Sequence, residues 1–186
     1  MKVSKKAEYG LRALINLGIA QEVGRAKVTA ADLAQADNLP LKFLEQILIQ
    51  LREADYVKTQ RGKGGGYFIN KPMKDIKMGD LVRLLDGPLA PIGCASKSAY
   101  TLCSCPDETH CGLRMLMIDV RNAIAGILDR YSLHDVVEVT LRKMRREGHE
   151  HFFLKNKEAP NQDRADFNPV DPTLGFLAEL GKLNNK

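Results

Sequence analysis

Two short helical patterns broken at Asn38-Leu39-Pro40, with a glycine-rich hairpin signal close behind, constrain this chain's fold more than any other feature. Residues 4–21 read as an amphipathic helix: Ser4 is a candidate N-cap, and Ala7, Leu11, Leu14, Ile15, Leu17 and Gly18 recur at helical spacing. A short helix runs from Thr29, its cap, to Ala36, with Leu33 inward. After the break, Pro40 suits the first turn of a third helix, where its missing N–H would be unpaired anyway. Leu44, Ile47, Leu48 and Leu51 give that helix its apolar stripe, and it ends near Ala54. Tyr56–Thr59 and Gly66–Ile69 are β-type runs, joined by Gln60-Arg61-Gly62-Lys63-Gly64-Gly65 as a flexible hairpin turn. A further helix is expected over Met78–Asp86, stopped by Gly87-Pro88. Helix, turn, helix and hairpin in this order predict a winged helix-turn-helix, in which the second helix of the pair lies in the major groove.

Charge agrees with a nucleic-acid surface. Residues 1–83 hold 15 Lys/Arg against 9 Asp/Glu, while residues 84–186 hold 13 against 14, so the net charge of +5 lies in the N-terminal half. A solvated lysine-rich face is the plainer reading of that surplus. On the third helix, Lys42 and Gln46 lie one turn apart and project together; Gln suits adenine edges, and Lys suits guanine or phosphate. Glu45 suits a cytosine amino group, or else a surface ion pair with Arg52 or Lys42. Arg61 and Lys63 at the hairpin tip are candidate phosphate contacts, and the glycines around them, Gly64 included, allow close backbone approach. A nucleotide-binding loop is the competing reading of those glycines, but no Gly-Lys-Ser/Thr follows and the next segment looks like a strand.

All four cysteines fall in Cys94-ASKSAYTL-Cys103-Ser104-Cys105-PDETH-Cys111. Thiolates are soft ligands for iron–sulfur clusters and zinc, and a short loop can bring several onto one centre. A disulfide-stapled loop is mostly a feature of small secreted domains. The N-terminal segment is amphipathic and lacks the continuous apolar core of a secretory signal. No stretch approaches the roughly 18 apolar residues that span a membrane. A cytoplasmic chain with reduced thiols and no membrane partner is expected. Zinc remains a physical rival: four cysteines, or three plus His110, can close a tetrahedral site, although Cys103-Ser104-Cys105 is tighter than the usual pairing.

From Cys111 to Tyr131 a long helix returns, with Leu113, Leu116, Met117, Val120, Ile124, Ile127, Leu128 and Tyr131 in one stripe. Because the N-terminal lobe has its own core, that stripe is expected to be a dimer seam. Ser132 restarts a helix that closes on the basic run Arg142–Arg146. Four segments result: a winged helix-turn-helix over 1–83, a cysteine-rich loop over 84–110, dimerisation helices over 111–147, and a tail over 148–186. The proline and asparagine content of the tail predicts disorder apart from one short helix within Thr173–Lys182, with His149 and His151 solvent-exposed. The fold class is mainly α, a winged helix-turn-helix with a small β-hairpin wing and a long dimerisation helix.

Over residues 1–145 the chain resembles the winged-helix bacterial regulators that include IscR, NsrR and RirA. The matching residues are Tyr9-Gly10-Leu11-Arg12-Ala13-Leu14, Leu41-Lys42-Phe43-Leu44-Glu45-Gln46, Arg61-Gly62-Lys63-Gly64-Gly65-Gly66-Tyr67, and the cysteine loop before a long helix. The resemblance implies a homodimeric transcriptional regulator, typically a repressor, that binds a double-stranded DNA operator and senses iron, nitric oxide or redox state through an iron–sulfur cluster (2Fe-2S or 4Fe-4S). It also implies that the loop lies beside the partner's DNA-binding lobe. Cluster-bearing members carry three loop cysteines, the last two separated by five residues, which Cys94, Cys105 and Cys111 match; relatives without the cysteines share the lobe. One branch places a histidine ligand three residues after the last cysteine, where this chain has Arg114. The fourth ligand is then Cys103, or Glu8, which aligns with an acidic residue that some relatives lend to the partner's cluster. The plainer reading of Glu8 is a surface carboxylate beside Lys5 and Arg12.

Other classes stay in view. A thiol switch would pair Cys103 or Cys105 with Cys94 or Cys111 without iron. An adaptor would use the winged fold for protein contacts. An enzyme is not expected, since no Ser/His/Asp set, paired acids or cofactor fingerprint emerges.

Overall fold

The structure, a computed structural model, describes residues 3–153 and 175–181. Helix α1 (Lys5–Glu22) is the axis of the lobe, and it begins where Ser4 Oγ accepts the Ala7 N–H at 3.2 Å. Its small residues let neighbours close on it. A Cβ on Gly10 would stand 2.6 Å from Leu85 Cδ1 and 3.0 Å from Ile47 Cγ2, and one on Gly18 would stand 2.7 Å from Val137 Cγ2. Around α1 lie α2 (Ala30–Asp37), α3 (Leu41–Glu53), α4 (Met78–Asp86) and α6 (Leu133–Arg146). Leu14, Leu44, Leu48, Leu51 and Leu81 are fully buried between them.

The helix-turn-helix corner is set by backbone and charge together. Thr29 caps α2, and Asn38 ends it in the left-handed region at φ 52°, a conformation Asn tolerates. Pro40 is the N-cap of α3 rather than a residue of its first turn, one position earlier than expected. Asp37, at the corner, accepts from Arg12 at 3.1 Å and from the buried Asn16 amide at 2.6 Å, which ties α1 to the turn.

The wing is a two-stranded antiparallel hairpin, β1 (Val57–Gln60) with β2 (Gly66–Ile69), in the register Val57↔Ile69 to Gln60↔Gly66. Gly62 at φ 100° and Gly64 at φ 81° supply the left-handed turn positions that other residues rarely adopt. Val28 anchors the wing's base by exchanging two backbone hydrogen bonds with Tyr67, at 3.0 and 2.7 Å. A side chain on Gly66 would strike the Val28 carbonyl oxygen at 2.7 Å.

Helix α5 (Gly112–Arg130) leaves the lobe from α4 and contains no buried residue. Its lower end is clamped: Arg83 on α4 makes two 2.7 Å bonds to Asp129, and the Met78 N–H donates to Tyr131 O at 3.0 Å. The chain then turns into α6 through Ser132, which forms a capping box with Asp135.

Phe153 is only 6% exposed and stacks under the Arg25 guanidinium at 5.3 Å, so residues 151–153 lie against the lobe. His149 is exposed as expected, whereas His151 is half-buried beside Phe153 rather than solvent-exposed. The expected disorder over 154–174 and 182–186 lies outside the described residues. Within the expected tail helix, α7 (Phe176–Gly181) is described, and Phe176 meets Tyr131 edge-on at 4.8 Å. Among the described residues no helix is long and apolar enough to cross a membrane.

Candidate nucleic-acid interface and cysteine site

The apolar face of α3 points into the core, which forces its other face outward. Lys42, Glu45 and Gln46 are all exposed on that face. Among the described residues none of the three makes a side-chain hydrogen bond or ion pair, so the alternative reading of Glu45, an ion pair with Arg52 or Lys42, is not formed. Leu41 at 40% and Phe43 at 39% exposure add an apolar edge to the start of the helix, and Phe43 rests edge-on against Tyr9. Sequence reasoning did not single out that pair, although an exposed Phe in a recognition position is a readable signal. Arg61, Gly62, Lys63 and Gly64 are exposed at the wing tip, and both cations are free of partners among the described residues. Unpaired cationic donors at an exposed tip suit phosphate binding.

The four cysteines converge on one open pocket. Cys94, Cys103, Cys105 and Cys111 line a cavity of about 350 Å³ together with Ile92, Thr101, Leu102 and Leu113. All four are free thiols: Cys94 is buried in a 3₁₀ turn, Cys103 and Cys111 are half-buried, and Cys105 is exposed. Cys103 is the hub, since its Sγ accepts the Cys105 N–H at 3.3 Å. Hydrogen bonding and charge repulsion with Cys103 push the Cys105 thiol up to about 11, and desolvation raises Cys94. Crowded thiols resist deprotonation until a cation supplies the missing charge. Among the described residues no three Cys, His, Asp or Glu side chains already stand at metal-ligand spacing. The donor chemistry and the shared open pocket nevertheless fit a thiophilic centre.

Glu8 is not in this pocket. It is paired with Lys5 at 2.7 Å and Arg12 at 3.4 Å, and its carboxyl is lowered chiefly by the Lys5 hydrogen bond. His110 is exposed and bonded to Asp107. Three residues that sequence reasoning did not place at the site hold the loop: Tyr100, Glu108 and Arg121. Arg121 donates to the Ala95 carbonyl, and Arg114 Nε donates to the Cys94 carbonyl at 3.0 Å. Arg114, three residues after Cys111, thus clamps the loop to α5.

Fold, exposed recognition helix and wing define a winged helix-turn-helix regulator. The family model described as "Rrf2: Iron-dependent Transcriptional regulator" matches residues 3–139, and the chain belongs to the Rrf2 family of transcriptional regulators. A Rhodobacter capsulatus protein named as an rrf2-like HTH-type transcriptional regulator is 37% identical over 139 residues, 73% of this chain and 91% of that protein. The solved structure of CymR, the global cysteine regulator of B. subtilis, is similar at a TM-score of 0.62 and 31% identity, covering 74% of this chain and 97% of that one. T. potens IscR is similar at a TM-score of 0.58 and 30% identity, covering 74% and 87%.

Proposed function

We propose that this chain is a homodimeric DNA-binding regulator whose cysteine pocket holds an iron–sulfur cluster, and that the state of this site sets operator affinity. The observation that carries the reading is the convergence of four free thiols on one open pocket at the N-terminus of α5, a helix that leaves Leu113, Leu116, Val120 and Ile127 exposed. Cys94, Cys105 and Cys111 hold the cluster, with Cys103 or the partner's carboxylate at the position of Glu8 as the fourth ligand. When bound, the cluster supplies a centre that reacts with oxidants or nitric oxide and responds to iron supply.

The chain's own residues do the rest. Lys42, Glu45 and Gln46 meet base edges, while Arg61, Lys63 and the backbone at Gly64 meet phosphates. Leu113, Leu116, Val120 and Ile127 form the seam with a second copy. Arg114 and Arg121 couple the loop to α5, and the Arg83–Asp129 clamp couples α5 to α4 of the DNA-binding lobe. A change at the thiols therefore reaches the spacing of two recognition helices through one rigid helix, a two-state element biased by a local ligand.

Likeness to CymR, and the absence of ready metal-ligand spacing among the described residues, favour a second reading: a cluster-free thiol switch using the same four cysteines. The two separate on one experiment. Operator binding is measured by fluorescence anisotropy for anaerobically purified protein, before and after iron chelation. A change of tenfold or more on chelation supports the cluster reading, whereas affinity that ignores iron and follows thiol oxidation supports the switch.

A further inference from the structure

The recognition helix carries an aromatic side chain that the polar contacts of the proposed DNA face do not use. Phe43 follows Lys42 and stands three residues before Gln46, so Phe43 and Gln46 are neighbours on one flank of α3. Leu44, Ile47, Leu48 and Leu51 of the same helix turn into the core, whereas Phe43 stays 39% exposed. Its ring is nevertheless held. It meets the Tyr9 ring edge-on, with centroids 5.8 Å apart and planes at 74°. Two cations of α1 steady Tyr9 in turn, Lys5 Nζ at 5.6 Å and the Arg12 guanidinium at 5.9 Å from its centroid. Arg12 also bonds to Asp37 at the helix-turn-helix corner, so α1 sets the ring at a fixed place beside the base-reading side chains.

We propose that Phe43 is a specificity-determining residue of the DNA face, and that its exposed edge reads the 5-methyl group of a thymine in the major groove. The proposal rests on the reading of α3 as the recognition helix. The thymine methyl is the apolar group that a base pair presents in that groove, and a phenyl ring is one of its usual contacts. Lys42 and Gln46 offer hydrogen bonds alone, and by hydrogen bonds alone thymine and uracil are alike. The surroundings select DNA as the occupant. Lys42 and Gln46 flank the ring, Arg61 and Lys63 stand exposed on the wing, and residues 1–83 hold 15 Lys/Arg against 9 Asp/Glu. An acidic polymer with small apolar groups on a polar edge matches that pattern, and an apolar protein segment does not. A ring already held by Tyr9 has few rotamers to lose on contact, which lowers the ordering cost of binding.

The test uses the full-length protein, a duplex operator selected by that protein from random DNA, and fluorescence anisotropy at one fixed salt concentration. Each thymine of the operator is replaced in turn by deoxyuridine, which removes the methyl group and keeps every hydrogen-bonding group. At one thymine per half-site the parent is expected to lose affinity roughly 3- to 10-fold, the scale of one buried methyl. Phe43→Ala should bind the thymine and deoxyuridine operators with equal affinity, no tighter than the parent binds the deoxyuridine one. Phe43→His keeps a ring against Tyr9 but presents a polar edge, and it reads the same loss of discrimination should Phe43→Ala lose its helical circular dichroism. A parent indifferent to deoxyuridine at every thymine would overturn the proposal alone. So would a penalty that persists undiminished in both variants, since the methyl would then act through duplex shape or another residue. A parent that selects no sequence and binds all duplexes alike would overturn the recognition-helix reading and this proposal with it.

Discussion

The DNA-binding lobe and the α5 region are built on opposite terms. In the lobe, α1 is enclosed by four helices and a hairpin, and its apolar residues find partners within the same chain. Helix α5 is longer than any helix of the lobe at 19 residues and buries none of them; Leu113, Leu116, Val120 and Ile127 are between 37% and 59% exposed. The loop feeding α5 sets four free thiols around one open pocket. One region is complete as a single chain. The other presents exposed apolar side chains and free thiols, the groups that the proposed seam and cluster would use.

The largest effects should fall on opposite properties in the two regions. Leu48→Ala removes a fully buried side chain from the lobe core and should cost about 2–5 kcal/mol in chemical unfolding. Val120→Asp should leave the unfolding of the lobe nearly unchanged and convert dimers to monomers in sedimentation, because a charge buried in an apolar seam costs on the order of several kcal/mol. A fully dimeric Val120→Asp protein would place the seam elsewhere and remove the contrast.

Smaller effects sharpen the picture within the lobe. Replacing Arg61 and Lys63 together by Glu should weaken DNA binding for every sequence and flatten its salt dependence by about one unit of slope per lost phosphate contact. Gln46→Ala should instead narrow the gap between operator and random DNA, by roughly 1–3 kcal/mol at one base position.

The smallest effect concerns the joint between the regions. Asp129 is held below the ordinary carboxylate range chiefly by its hydrogen bond to Arg83. A lowered folded value means that the contribution is complete above the unfolded carboxylate pKa, about 4, and fades as pH falls through the lowered value. Its side chain is 45% exposed, so solvent screening limits the pair to roughly 1 kcal/mol or less. Asp129→Asn should therefore remove a small acid-sensitive part of the stability curve while leaving its neutral-pH shape intact.

The lobe was legible in the sequence because its signals are local. Periodic leucines, Thr29 and Ser4 as caps, the Asn38-Leu39-Pro40 break and the Gly-rich turn each act within a few residues, and the elements form where those signals lie. Positions set by distant partners were not legible. Gly10 and Gly18 read as ordinary helix residues, yet their missing side chains admit Leu85 and Val137. Phe153 read as the start of a tail, but its ring finds Arg25 across the fold. In the cysteine site the thiols were evident from composition, while the hold on them was not. Tyr100, Glu108 and Arg114 are 8 and 6 residues apart along an irregular loop, where no periodicity relates one side chain to another. Glu8 shows the same limit from the other side: among the described residues its carboxylate pairs with Lys5 and Arg12.

A cluster on the loop cysteines is the proposal on which the contrast between the two regions turns. The direct measurement is iron and acid-labile sulfide per chain, with the visible spectrum, on protein purified without oxygen, for the parent beside Cys105→Ser and Cys111→Ser. The expected result is a coloured parent with iron and sulfide in equal amounts and near-complete loss of both in either variant, at unchanged helical circular dichroism. A colourless parent holding one zinc per chain, or a Cys105→Ser protein that keeps the parent's iron, sulfide and spectrum, would contradict it.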